Sequence, residues 1–201
     1  MKKVKLAVVG VGNCASSLIQ GIEYYKHHHN EHSDGIMQPQ INGWRPQDIE
    51  IVAAFDVDKR KIGLPIEKAI FAEPNCTTVF QKFIPVNGVR VKMGQLLDGV
   101  ADHMAEYPNS QSFRVAQEDP VNVVEELKSS GAEVLVCYLP VGSQKAVEFY
   151  ANACLQAKVA MVNCVPVFIA SDKKWANNFT QAGVPIIGDD IKSQVGATIV
   201  H

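Results

Sequence analysis

The chain is short of the features that mark exported, membrane-bound or disulfide-stapled proteins. No apolar run reaches the roughly 18 residues that a spanning helix needs, and Met1-Lys2-Lys3 leads into a strand without a signal-peptide cleavage pattern. A cytoplasmic location with no membrane partner is therefore expected. Cysteine is sparse: Cys14, Cys76, Cys137, Cys154 and Cys164 form no CxxC pair, and an odd number cannot all pair within one chain, so reduced thiols are expected. Neither sign of charge dominates. Nineteen Lys and Arg against 21 Asp and Glu leave a formal charge of −2, which gives no reason to expect nucleic acid or an anionic surface as partner. Internal repeats and low-complexity segments are absent apart from a short histidine tract. His27, His28, His29 and His32 could ligate a divalent ion, but no cysteine or carboxylate cluster completes a site. A solvated loop is expected there, and no metal.

What the chain does have is enough apolar material for one sizeable core: 201 residues, 47% hydrophobic and 20% charged. The segment Val4-Lys5-Leu6-Ala7-Val8-Val9-Gly10-Val11-Gly12-Asn13-Cys14-Ala15-Ser16-Ser17 runs an apolar strand into a glycine-spaced turn and then a helix. Gly10 permits the tight turn. Gly12 lets the backbone approach a pyrophosphate, and Ala15, in place of the usual third glycine, still allows close helix–sheet packing. Amides from Asn13 to Ser16 at the positive end of the helix would face phosphate oxygens. Cys14, near that helix start, either has a lowered pKa or is simply a small residue filling the loop. The pattern reads as a dinucleotide-binding opening.

An acid at the end of the second strand completes such a fingerprint. The run Ile49-Glu50-Ile51-Val52-Ala53-Ala54-Phe55 ends at Asp56, whose carboxylate could accept from both adenosine ribose hydroxyls, favouring NAD over NADP. The alternative is a turn carboxylate with Asp58, Lys59 and Arg60 as solvated neighbours. Asp56 lies further from the glycines than the usual roughly 20 residues. A polar insertion over residues 26–48, with breakers Gly35, Pro39, Gly43 and Pro46, accounts for the excess.

Beyond it, strands and helices keep alternating. Asn87 to Met93 suggests a third strand. Pro120 to Ser129, with Val121, Val124 and Leu127 at helical spacing and Gly131 as the stop, predicts a helix. Glu133 to Leu139 is apolar enough for a parallel strand covered on both faces, and Pro140 to Ser143 breaks it before a helix over 143–157. A strand from Val159 to Asn163, a helix over 171–182 and a strand from Val184 to Gly188 follow. The fold class is α/β: a doubly wound, mainly parallel sheet in order 3-2-1-4-5-6 with helices on both faces. Leu139, Pro140, Ser143, Asn163 and Asp189 all fall at the carboxyl ends of strands, where such sheets bind ligands. Ser143 would contact a cofactor phosphate or cap its helix. Asn163 would reach the nicotinamide ribose or close its own turn. Asp189-Asp190-Ile191-Lys192 alone reads as a helix start with acids at its positive end.

Five blocks carry a resemblance: Gly10 to Ser17, Ala53 to Asp58, Tyr138 to Ser143, Pro166 to Ser171 and Gly188 to Thr198. Together, in order and over essentially the whole chain, they resemble the myo-inositol-1-phosphate synthase family in its archaeal and actinobacterial branch. The resemblance implies NAD as cofactor and glucose 6-phosphate as substrate, isomerised to inositol 1-phosphate (also numbered 3-phosphate) without net oxidation. C5 is oxidised, the ketone acidifies C6, the enolate attacks the C1 aldehyde, and the cyclic ketone is reduced. By resemblance Lys192 stabilises a substrate oxygen or phosphate, and Asp190 and Asp189 order that lysine or the cofactor. An ordinary dehydrogenase fits less well, because no clear catalytic His or Tyr-x-x-x-Lys pair is present; Tyr24 and Tyr25 stand at the wrong spacing from Lys26. Family members continue past the position of His201 through a region that supplies further lysines, covers the substrate and builds the oligomer. Residues 1–201 are thus expected to be the dinucleotide-binding domain. Activity then requires a homo-oligomer of the longer chain or a partner supplying that region; a noncatalytic NAD-binding module or half of a split enzyme is the alternative.

Overall fold

The computed structural model describes residues 3–28 and 35–189. Its elements, in order, are β1 Val4–Val9, α1 Asn13–His27, β2 Ile49–Asp56, α2 Ile66–Ala69, β3 Val91–Met93, α3 Val123–Ser129, β4 Val134–Cys137, α4 Gln144–Ala157, β5 Ala160–Asn163, α5 Lys173–Ala182 and β6 Ile186–Ile187. The six strands form one sheet in the order β3-β2-β1-β4-β5-β6, and every pairing is parallel. This is the expected doubly wound order, with the chain reversing direction across the sheet between β1 and β4.

Strand alternation sorts the core into two layers. Leu6 and Val8 point to one face, where Val11, Ala15, Ile19 and Ile22 of the first turn and α1 meet Ile66 and Ile70. Ala7 and Val9 point to the other, against Leu127 of α3, Tyr150 and Cys154 of α4, and Phe179 of α5. Both faces are covered, so the inner strands are apolar at successive positions rather than alternately polar. Complete burial of Leu135 and Val8 contributes on the order of 1.5–3 kcal/mol each.

Several elements are shorter than the sequence suggests, for identifiable reasons. The third strand pairs only over Val91–Met93. The amide of Val121 donates to Met93 O at 3.0 Å, which holds residue 121 against the sheet edge. The third helix therefore begins at Val123, with the Asn122 side chain accepting from the Glu125 amide. Asp172 likewise accepts from the amides of Lys174 and Trp175 and starts α5 at Lys173. Within the polar insertion α1 continues to His27, and residues 41–48 hold a bridge between Ile41 and Trp44 and a 3-10 turn at Pro46–Asp48. His29 and His32 lie outside the described residues.

Candidate functional site

The pairing of β1 with β2 sets up the site. One extra residue in β2 shifts the register between Leu6 and Ala7, after which Val9 faces Phe55. The Gly10 amide then donates to Phe55 O at 2.9 Å, and Asp56 arrives beside the turn. Gly10 sits at φ +85°, and a Cβ there would lie 2.6 Å from Tyr138 O, so only glycine fits. Gly12 is different: a Cβ would meet no protein atom within 4 Å. The space it borders opens into a cleft of about 540 Å³ lined by Gly10, Gly12, Asn13, Asp56, Leu139 and Pro140.

Helix α1 starts at this opening with no acidic residue in its first turn and no side-chain cap. The first-turn amides of Asn13, Cys14 and Ala15 have no helical acceptor. Ser16 departs from the expected role. Its amide closes the first helical bond to Gly12 O at 3.0 Å, and the residue is 1% exposed, its hydroxyl accepting from Gln20 Nε2. The free donors therefore end at Ala15, which is itself fully buried against the sheet. Cys14 is exposed.

Val11, between the two glycines, is gripped from both sides. Its amide donates to Asp56 Oδ2 at 2.7 Å. Its carbonyl accepts from Lys61 Nζ at 2.7 Å and from Asn75 Nδ2 at 3.1 Å. Asp56 Oδ1 also accepts from the amides of Val57 and Asp58, so this carboxylate is a turn carboxylate and a cleft residue at once. Its neighbours are not all solvated: Asp58 is fully buried and paired with Arg60 at 2.8 Å, and Arg60 also donates to Ser112 O. Lys61 is 3% exposed. Burial lowers its pKa, with Asp56 and Asp58 opposing that shift and Arg60 adding to it.

A strap from residue 75 to residue 81 crosses the start of α1. Asn13 Oδ1 accepts from the Cys76 amide at 2.8 Å and from Thr77 Oγ1. Gln20, fully buried, accepts from the amides of Phe80 and Gln81. The Asn13 side chain thus holds the strap.

At the next strand end, Ser143 does not cap its helix. The residue is 1% exposed, and its hydroxyl donates to Pro140 O at 2.7 Å. The cap comes from Asp98, forty-odd residues earlier, whose two oxygens accept from the amides of Lys145 and Ala146 at 2.7 and 3.0 Å. Gly99 beside it approaches so closely that a Cβ would lie 2.1 Å from Ser143 Oγ. Tyr138 borders the cleft here, and burial, with the nearby Cys164 and Cys14 thiols, pushes its phenol up to about 12. Cys137 is also pushed up to about 12, chiefly by burial.

At the far strands Asn163 and Asp189 bind each other. Asn163 is fully buried; it donates to Asp189 Oδ1 at 2.7 Å and to Val167 O, and accepts from the Val165 amide. It closes its own turn, as one of its two sequence readings held. Asp189, 5% exposed, also accepts from the amides of Ile169, Ala170 and Ser171. Both groups are engaged in shaping the loop over residues 165–171. Asp190 and Lys192 lie outside the described residues. Among the described residues no cluster of three His, Cys, Asp or Glu could hold a metal ion, and no helix is long and apolar enough to cross a membrane.

Lys61, Asn75, Asp98 and Gln20 escaped the sequence reading. A charged run such as Asp58-Lys59-Arg60-Lys61 looks solvated, and only the distance of Lys61 from the glycines, closed by the β1–β2 pairing, shows otherwise.

The sheet order, the glycine turn and the carboxylate at the end of β2 define a Rossmann-like α/β protein. No family model matches the chain. It is 48% identical over 200 residues to the inositol-3-phosphate synthase of Mycobacterium tuberculosis (strain CDC 1551 / Oshkosh), covering 99% of this chain and 53% of that protein. Proteins of the same name from Mycolicibacterium smegmatis and Corynebacterium glutamicum are also 48% identical, with 99% and 98% of this chain covered. A crystal structure described as that of Ari2 is 39% identical with a TM-score of 0.81, covering all of this chain and 58% of that one. A myo-inositol-1-phosphate synthase-related protein from Thermotoga maritima, 19% identical over 94% of this chain and 55% of its own, shares the fold with a TM-score of 0.72. Along its whole length, then, the chain is homologous to the inositol-3-phosphate synthases. It spans about half the length of the curated relatives it matches.

Proposed function

We propose that this chain is the NAD-binding part of an inositol-3-phosphate synthase, an isomerase that cyclises glucose 6-phosphate with no net oxidation. The observation that carries the nucleotide reading is the open space at Gly12, bordered by first-turn amides of α1 that have no helical acceptor. A pyrophosphate there would receive hydrogen bonds from Asn13, Cys14 and Ala15 and would sit at the positive end of the helix. Asp56 would hold the adenosine ribose through the lone pairs its three backbone donors leave free. Leu139 and Pro140 would flank the nicotinamide half, and Ser143, Asn163 and Asp189 would shape that wall from behind. When bound, NAD supplies a hydride acceptor at C5 and the donor that later reduces the cyclic ketone.

Lys192, with Asp190 orienting it, would stabilise negative charge on a substrate oxygen or on the phosphate; an electrostatic contact of this kind is worth about 10² to 10³ in rate. The remaining substrate groups belong, on this reading, to the part of the relatives that this chain does not span, supplied by a longer chain in an oligomer or by a partner. On this reading the setting is cytoplasmic.

The test is conversion of glucose 6-phosphate to inositol phosphate by the purified chain with added NAD, with calorimetric NAD binding on the same sample. Product without net NADH is the expected result if the 201 residues suffice. Binding without product supports a nucleotide half that needs its complement, whereas absence of binding overturns the NAD reading.

A further inference from the structure

We propose that Lys61 is a positioning residue for the pyrophosphate of the nucleotide, acting through the glycine turn rather than by touching the ligand. This rests on the nucleotide reading above. The geometry is specific. The peptide joining Val11 to Gly12 carries its carbonyl on one side and the Gly12 amide on the other. Lys61 Nζ draws the carbonyl inward at 2.7 Å, so the amide side of that peptide is directed away from Lys61. Asp56 holds the Val11 amide at 2.7 Å. The two charged side chains therefore clamp the residue between the glycines at both of its backbone polar groups.

Lys61 is itself held in place. Its Nζ donates to Asn75 Oδ1 at 2.9 Å, and Asn75 donates to Val11 O and to Ile70 O. The residue is 3% exposed, although it belongs to a run of charged residues in which Lys59 is exposed. A flexible four-carbon side chain confined this far from water carries desolvation and entropy costs. The hydrogen bonds to Val11 O and Asn75 Oδ1 offset part of these costs and at the same time fix the turn. The charge has a second consequence. The turn that would receive a doubly charged pyrophosphate already holds the Asp56 carboxylate, and Lys61 is the cation buried beside that pair. Removing it leaves two negative groups facing each other across the turn in a partly desolvated cleft, where charges interact more strongly than in water.

The clamp should thus matter for ligands that carry phosphate and not for those that lack it. Lys61→Met keeps the volume and removes both hydrogen bonds and charge; Lys61→Gln keeps a donor without the charge. For Lys61→Met, dissociation constants for NAD and ADP should rise about 10-fold or more, and that for adenosine should stay within about 2-fold of wild type. Lys61→Gln should recover part of the loss. Equal weakening of ADP and adenosine, or no weakening of either, would overturn the positioning role while leaving the nucleotide reading intact. A wild-type chain that binds neither NAD nor ADP would sink both. Should the variants fail to fold, the unaltered protein decides: the Nζ resonance of Lys61 in lysine-labelled wild type should shift on adding ADP and not on adding adenosine, and an unmoved resonance with ADP bound overturns the proposal.

Discussion

Two carboxylates stand at strand ends on the same edge of the sheet and do opposite things. Asp56, the last residue of β2, is half-buried, borders the cleft and braces the glycine turn through Val11. Asp189, after β6, is 5% exposed and enclosed by Asn163 and three consecutive backbone amides. The first leaves the cleft lined with unmet donors and open space; the second closes its end of the edge into a self-satisfied loop. Asp56 thus stands beside an open cleft, while Asp189 is taken up by its own loop. The helix starts repeat the contrast. The first turn of α1 holds no acidic residue and no side-chain cap, whereas Asp98 fills that of α4.

The sharpest way to break the comparison is to remove the enclosed carboxylate. Asp189→Ala orphans four donors and should lower unfolding free energy by about 3 kcal/mol, read from urea denaturation; a wild-type midpoint would mean that the loop does not depend on it. Gly10→Ala comes next. A residue forced to φ +85° with its Cβ 2.6 Å from Tyr138 O should cost about 2 to 3 kcal/mol of stability, and an unchanged melting curve would show that the turn relaxes freely.

Gly12→Ala sharpens the difference between the glycines. Its Cβ meets no protein atom within 4 Å, so the stability loss should not exceed about 1 kcal/mol, the cost of replacing an N-cap glycine by alanine, while NAD affinity, measured calorimetrically, falls about 10-fold or more because the methyl occupies the ligand's approach. Unchanged affinity would place the pyrophosphate elsewhere. Asp98→Ala should have the smallest effect, about 1 kcal/mol of stability through loss of the α4 cap. A larger drop in NAD affinity than in stability would mean that the Asp98 loop is part of the ligand wall and not only a cap.

Much of this was legible in the residue order. The strand–glycine–helix opening, the acid closing the second strand and the regular alternation of apolar runs led to the observed sheet order, and the five sequence blocks led to the homology that comparison shows. The misreadings cluster where a side chain finds a partner far along the chain. Of the two readings of Ser143, the helix cap falls away: the cap is Asp98, because the loop after β3 is packed against the start of α4. Asp58 and Arg60 looked solvated, yet they pair out of water. Asn163 had two readings that local sequence could not separate; its Oδ1 accepts from the Val165 amide and closes its own turn, and the approach of β6 to β5 brings Asp189 within 2.7 Å of its Nδ2.

The sequence by itself determined the periodicities, the glycines and the order of elements, because these depend on backbone sterics and on which residues must leave water, both of which are local. Only the tertiary structure decided which charges face the cleft and which are enclosed. That outcome depends on the parallel register between strands, which sets Asp56 and Lys61 around Val11 at one end of the edge and Asp189 against Asn163 at the other. A hydrogen bond acts over about 3 Å, so its partner is chosen by the packing of elements and not by distance along the chain.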